Sequence, residues 1–394
     1  MKLYLLALGV ASPLLSCISC SSTSAATPQG QSDAGSSLTA DSGTSPPPDA
    51  EAPDASTART YAERVAEASW QAIPGAPTLS QGKMDDMFML STTTGFAVSG
   101  QTGDVLKTTD AWKTSKAVLS STTAFFRSVY FLTPEHGFVG QLGVGLDPSI
   151  SDPNLMYETK DGGANWKPVT TITGSSAKGI CNFTALDANH ILAVGRTNGP
   201  AHVLSSSDAG ANWTSRDLGA QLSMLIDAHM VSATEHIIVG RSADAAATCT
   251  ALRTTDGGAS YTKVFAAAAK DSLCWKIDFP SANVGYIANQ QGPKGPPAFA
   301  KTTDAGKTWV EMPLPLHASA TAGYAALSVT FATDDIGWMT GNRASLPSYR
   351  TVDGGQTWQV DAALKGPINR MRVVDANTVF AIGGTVWALE IPKL

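Results

Sequence analysis

Thr302-Thr-Asp304-Ala-Gly306-Lys-Thr308-Trp309 is a turn signature of the form T-x-D-x-G-x-T-W. It recurs as Thr351-Val-Asp353-Gly-Gly355-Gln-Thr357-Trp358, Thr254-Thr-Asp256-Gly-Gly258-Ala-Ser260-Tyr261, Ser206-Ser-Asp208-Ala-Gly210-Ala-Asn212-Trp213 and Thr159-Lys-Asp161-Gly-Gly163-Ala-Asn165-Trp166. A worn copy, Thr108-Thr-Asp110-Ala-Trp112-Lys-Thr114, carries Trp112 where glycine belongs and is expected to use another conformation. Successive aspartates are 51, 47, 48, 48 and 49 residues apart. A period near that length means one supersecondary unit stacked repeatedly.

Each unit follows one plan. A β-rich run such as Ser328-Val329-Thr330-Phe331 is followed by a second strand opening on Gly337-Trp338. A third strand, Tyr349-Arg350-Thr351, enters the aspartate turn, and a fourth leaves it at the aromatic. Four short strands per period predict a β-propeller blade, with the first strand at the axis and the fourth at the rim. Six signatures give six blades. Three more strands then begin near Met371, Thr378 and Thr385, and the chain ends before a seventh signature. The missing rim strand is supplied near the N-terminus, where Ser69-Trp70-Gln71-Ala72-Ile73-Pro74 matches Thr308-Trp309-Val310-Glu311-Met312-Pro313. The expectation is an all-β, seven-bladed propeller over 69–394, its last blade closed by an N-terminal strand that leaves few free sheet edges.

Composition agrees: the 394-residue chain is 43% hydrophobic and only 15% charged, with 36 glycines. That length buries a large core, and the balance suits a turn-rich β protein. A net charge of −6 without a basic run gives no footprint for nucleic acid, so none is expected as a partner. Residues 1–20 read as a lipoprotein signal: Lys2 starts it, an apolar stretch too short to span a bilayer follows, and Leu14-Leu15-Ser16-Cys17 resembles a bacterial lipobox. Cys17 is the expected lipidated residue and Cys20 its rival. The lipid would hold the chain on a membrane, at the outer membrane or cell surface. Residues 21–56 lack aromatic and basic side chains and read as a disordered tether; 57–68 has helical spacing.

The physics of the turn is structural. Aspartate accepts backbone N–H bonds of its own turn, glycine supplies a positive φ, and the aromatic packs between blades. Asp110, Asp161, Asp208, Asp256, Asp304 and Asp353 therefore read as scaffold. The signature resembles the Asp-box, or BNR repeat, of sialidases, xyloglucanases, sortilin-like receptors and photosystem II assembly-factor propellers. The pairing of Gly337-Trp338…Gly341 with Tyr349-Arg350-Thr351-Val-Asp353 is most similar to the assembly-factor branch, as is Gly95-Phe96-Ala97-Val98…Asp110. The resemblance implies a propeller and, by analogy, an assembly role.

With the signature turns on one face, recognition is expected on the other, where the connections spanning 141–154, 241–248 and 290–297 are extended. Gln101, Gln141, Arg196, Arg241, Gln290 and Arg343 end the second strands at comparable positions. They read either as a polar ring for an anionic or peptide ligand or as ordinary exposed strand ends. Asp86, Asp227, His229, Lys276, Asp278, Arg370 and Arg372 fall on first strands, where internal ion pairs in an axial channel explain them and a channel-mouth site is the sharper reading. The histidines have no metal-ligand spacing, and neither metal nor cofactor is expected. Phe126-Arg127-Ser128-Val129 matches a sialidase arginine motif only in part, and no Tyr/Glu pair can be placed. Cys249 and Cys274 are the expected disulfide, with Cys181 the competitor. The resulting expectation is an exported, membrane-anchored monomer that binds a protein or glycan on its loop face without catalysis; the alternative is a carbohydrate-active hydrolase or glycan-binding protein.

Overall fold

A computed structural model describes residues 21–23, 59–291, 298–314, 326–341 and 348–393. The signal segment with Cys17 and Cys20, most of the 21–56 tract, and Arg343 lie outside the described residues. Seven antiparallel sheets, each four strands deep from axis to rim, succeed one another along the chain. Their first strands are Asp86–Met89, Phe126–Phe131, Asn182–Ala185, Leu222–Met230, Leu273–Asp278, Ala326–Phe331 and Arg370–Asp375, which define blades 1 to 7. Two sheets gain a parallel extra strand. Ile172–Gly174 joins the rim of blade 3, and Ser21–Thr23 runs beside Lys276, Ile277 and Asp278 of blade 5.

The ring closes as the repeat predicts. Gln71–Ala72 pairs antiparallel with Val386–Glu390, placing Gln71 opposite Ala388 and Ala72 opposite Trp387. Trp70 is buried and meets Trp338 of blade 6 edge-on at 6.1 Å. This repeats the geometry of Trp213 against Phe138, one blade back, at 5.7 Å. Before the closing strand, helix Tyr61–Glu67 starts at a capping box in which Glu63 N–H donates to Thr60 Oγ1 (3.2 Å) and Thr60 N–H to Glu63 Oε2 (2.7 Å). The helix is strapped over the closure: Arg64 donates to the Pro392 carbonyl and Arg350 to the Val65 carbonyl, each at 2.7 Å.

Blade-to-blade packing is largely aromatic. Rings at the ends of the first strands stack on second-strand rings of the preceding blade, Phe131 on Phe96 at 4.2 Å and Phe331 on Tyr286 at 3.5 Å. The signature tryptophans Trp166, Trp309 and Trp358 then stand edge-on against Phe131, Phe279 and Phe331. A bulge recurs near the start of four first strands, at Arg127, Ile226, Trp275 and Leu327. A bulge re-aims one side chain. All four are fully buried, three of them apolar and the fourth an arginine.

Candidate functional site

On the turn face all six aspartates make the same bonds. In blade 5, Thr302 Oγ1 donates to Asp304 Oδ1 (2.8 Å), Thr308 N–H to the same oxygen (2.9 Å) and Thr308 Oγ1 to Oδ2 (2.7 Å). Asp161 and Asp208 substitute asparagine amides for the last donor, both at 2.8 Å. These donors, the asparagine side chain foremost, hold the Asp161 and Asp208 carboxyls down to about 2. The two residues after each aspartate are left-handed, for example Ala305 (φ 60°) and Gly306 (φ 74°). The first of the pair donates its N–H to the carbonyl of the neighbouring hairpin in the same blade, as Ala305 does to Asn283 (2.9 Å) and Gly162 to Glu135 (2.8 Å).

The worn turn corrects the expectation of a different conformation. Trp112 has φ 67° and its N–H reaches Thr108 Oγ1 at 2.9 Å, just as Gly306 N–H reaches Thr302 Oγ1 at 3.0 Å. Its indole is completely buried in the blade 7–blade 1 core, which offsets the strain of a non-glycine residue there. The same face holds a cavity of about 300 Å³ between blades 3 and 4, beside Leu192, Met230, His190, Asp208 and His236. Leu192 stands there at the strand position that Phe96 and Phe138 occupy in blades 1 and 2. Its polar groups are already engaged, His236 Nε2 with the Tyr261 hydroxyl (2.7 Å) and His190 Nδ1 with Asp187 (2.9 Å).

On the opposite face the second-strand ends Gln141, Arg196, Arg241 and Gln290, among the described residues, do not form a common ring. Each is turned into its own neighbourhood. Gln141 is buried and donates to the carbonyls of Asp152 and Asn154. Arg196 is buried and donates to the carbonyls of Leu142 (2.8 Å), Gly143 (3.2 Å), Val144 (2.9 Å) and Gly199 (2.7 Å). Arg241 holds the Ala247 carbonyl (3.2 Å) and Asp271 (3.0 Å), and Gln290 accepts from the Trp275 indole. The effect is to fix the longest described connection: two buried side chains from blades 2 and 3 clamp its ends, and Tyr157 and Asn154 bind Asp152 within it. Val144 is left exposed at its surface. Nearby, Cys249 and Cys274 form a disulfide with Cα atoms 4.6 Å apart, tying blade 4 to blade 5; Cys181 is bonded to neither and is itself disulfide-bonded.

The first strands bring a buried set of charges to the axis. Arg127, the bulged residue of blade 2, pairs with Asp85, which also accepts Gly100 N–H at 2.8 Å. Arg370 Nε donates to Asp86 Oδ1 at 2.6 Å and Arg372 Nε to the Met87 carbonyl at 2.8 Å. Three aspartates bridge blades: Asp86 accepts Val129 N–H (3.1 Å), Asp227 accepts Ile277 N–H (3.2 Å) and Asp278 accepts Phe331 N–H (2.7 Å). Burial pushes Asp278 up to about 7 and Asp227 well above the usual carboxylate range. Sequence reasoning placed Asp86, Asp227, Lys276, Asp278, Arg370 and Arg372 here, but missed Asp85 and the pairing of Arg127. The available signal was an arginine in a column otherwise filled by Ile226, Trp275 and Leu327.

Neither a protein-family model nor a curated protein matches the chain. Solved structures do. A structure described as YCF48 bound to D1 peptide is 18% identical with a TM-score of 0.59, covering 82% of this chain and 97% of that one. YCF48 from Cyanidioschyzon merolae gives 18% identity and a TM-score of 0.60 over 82% and 99%. A GH74 xyloglucanase from Xanthomonas campestris gives 15% and 0.59; the chain matches 53% of its length. At these identities the likeness is one of fold.

Proposed function

We propose that the chain is an exported, lipid-anchored propeller whose loop face binds a protein partner, serving as a rigid recognition platform. The observation that carries this is the clamped connection between the second and third strands of blade 2. Arg196 and Gln141 spend their donors on its backbone, so its surface is preorganised before any partner arrives, and preorganisation lowers the ordering cost of binding. Irregular, fixed insertions on one face of a regular ring are where such folds recognise ligands. Two further points support the reading. The repeated acids are committed to their turns, which supports reading those turns as Asp-boxes in a scaffolding role. One propeller of similar fold was solved with a peptide bound. The anchor would be Cys17.

The test is a capture experiment with the full chain, run against immobilised peptides and a polysaccharide array. Saturable peptide binding that is lost in Val144→Asp while the melting temperature holds supports the platform. Saturable glycan binding without peptide binding would replace the protein partner by a glycan. Release of reducing sugar from any arrayed polysaccharide would overturn the non-catalytic reading.

A further inference from the structure

At the axis, three first-strand residues share one register position but not one chemistry. Asp86 of blade 1 lies opposite Val98, Asp227 of blade 4 opposite Val239 and Lys276 of blade 5 opposite Ala288, each three residues into its second strand. Asp86 and Asp227 use this position to accept an amide N–H from the next blade, that of Val129 and that of Ile277. The equivalent amide beyond Lys276 belongs to Val329, which occupies in blade 6 the register place of Val129 in blade 2. In an antiparallel ladder, alternate residues of the inner strand direct their N–H away from the sheet. Val129 does so, and the shared register makes Val329 do the same. This seam makes its carboxylate bridge two residues further on, from Asp278 to Phe331 N–H, and at the register position of Asp86 and Asp227 it has an ammonium in line with the Val329 amide. Both groups are donors, and neither can satisfy the other.

The consequence is visible on the lysine. Lys276 is 1% exposed, and its Nζ has no hydrogen-bond partner. The backbone of Ser21–Thr23 pairs with this stretch. The acids within electrostatic reach are Asp227 and Asp86, and both are already engaged by backbone amides. Arg370 and Arg127 reach the same point from blades 7 and 2, and Arg127 Nε and Nη2 are themselves buried without partners. Burial and the two guanidinium groups push the Lys276 amine well below its usual range, so it keeps its proton only where an acceptor joins it.

We propose that the seam between blades 5 and 6 binds a small oxyanion at the axis, held by the Lys276 ammonium and the Val329 amide in the field of Arg127 and Arg370. The anion takes the place of the carboxylate that Asp86 and Asp227 provide at their seams. A phosphate, a sulfate or a carboxylate group has the required chemistry, since each presents acceptors without donors of its own when ionised.

The experiment follows the thermal melt of the full chain in sodium phosphate, in sodium acetate and in sodium chloride of equal ionic strength. Phosphate stabilises proteins generally by exclusion from their surface, so the readout is wild type against Lys276→Met at each concentration. Wild type is expected to show an added, saturable rise of several degrees in phosphate, with a smaller or equal one in acetate if a carboxylate suffices. Lys276→Met is expected to lose the saturable part and, in chloride alone, to melt no lower than wild type. Lys276→Asp, which installs the bridge of the other two seams, is expected to melt higher than wild type in chloride and to ignore phosphate. Equal phosphate responses in wild type and Lys276→Met would overturn the site, as would the lack of any saturable response in wild type. Calorimetric titration of phosphate into wild type should give one site per chain; many weak sites would also overturn it.

Discussion

The aspartates of the repeated turns and those at the axis are the same side chain in opposite circumstances. Asp161, Asp208 and Asp304 sit at or near the surface, where hydroxyl, amide and backbone donors hold the carboxylate ionised at about 2. Asp227 and Asp278 lie at the axis, where burial lifts the carboxyl despite amide donors and nearby cations. The turn acids find every partner within four residues, so each blade is built locally. The axial acids bond to a neighbouring blade, so they report whether the ring has assembled. Local order comes from one set and closure from the other, and substitutions should separate them.

The largest effect is expected at the axis. Arg370→Met removes the guanidinium from Asp86 and leaves a buried carboxylate without its closest cation. Breaking a buried pair on one side costs about 3–5 kcal/mol. Chemical denaturation should show that loss, with the denaturant slope retained. An effect below about 1 kcal/mol would mean the axis is hydrated enough to tolerate the charge.

Acid–base behaviour should divide the two sets by sign. Asp278 has a folded pKa near 7 against an unfolded value of about 3.9. Between those values the folded state holds the extra proton, so Asp278 makes stability fall as pH rises, by up to about 1.4 kcal/mol per pH unit. His229 and His236, held down to about 4 by burial, act in the opposite sense below about 6.5, because only the unfolded chain takes up their protons there. The measurement is therefore the difference between Asp278→Asn and wild type across pH 4.5 to 7.5, spanned by those values. The variant should gain relative stability with rising pH. The turn acids, whose folded pKa values are depressed, lose their contribution only as pH falls from about 4 toward 2.

This division also explains what could be read from the chain. Asp304 bonds to Thr302 and Thr308, both inside an eight-residue signature, and six copies at a fixed period made blade count and closing strand legible. Arg127 and Asp85 are 42 residues apart, and Arg370 and Asp86 are 284 apart. No periodicity links such pairs, since their meeting is a property of the closed ring. The second-strand ends were legible as equivalent positions. Their use was not, because the carbonyls that Arg196 and Gln141 bind belong to connections of irregular length. The conformation at Trp112 is hidden for a related reason: the hydroxyl of Thr108 and the neighbouring hairpin impose the turn, and a buried indole compensates for the absent glycine.

Within the turn set, the effect of one carboxylate should be modest. Asp304→Ala removes three acceptor contacts at a partly exposed site, comparable to losing a helix cap, and about 0.5–1 kcal/mol is expected after solvent compensation. Blade 5 alone should lose protection in native-state hydrogen exchange, with the amides of Thr308 and Gly306 exchanging faster. Loss spread evenly around the ring would contradict a local role and place the turns in the same class as the axis.

The smallest effect isolates the backbone. The residue after each aspartate is left-handed in every turn, yet it is alanine in three of them, Ala111, Ala209 and Ala305, and glycine in the rest. A left-handed alanine costs about 1 kcal/mol in the folded chain, while glycine gives up about 0.4–1 kcal/mol through its freer unfolded state. The two nearly cancel, which accounts for the mixture. Gly257 provides the cleanest reading, because a methyl group there would meet nothing within 4 Å. Gly257→Ala should cost about 0.5 kcal/mol and Ala305→Gly should return a similar amount, with opposite shifts in melting temperature. At Gly354 the added carbon would displace Lys301 Nζ from its bond to the Gly354 carbonyl (2.9 Å) and lie 3.3 Å from the Asp334 carbonyl, so Gly354→Ala should cost more than Gly257→Ala at the same φ. If Gly257→Ala and Gly354→Ala shift the melt equally, steric crowding is irrelevant and the turn is governed by φ alone. If Gly257→Ala is as damaging as Arg370→Met, the turns are coupled to closure after all, and the separation between local and ring-wide acids fails.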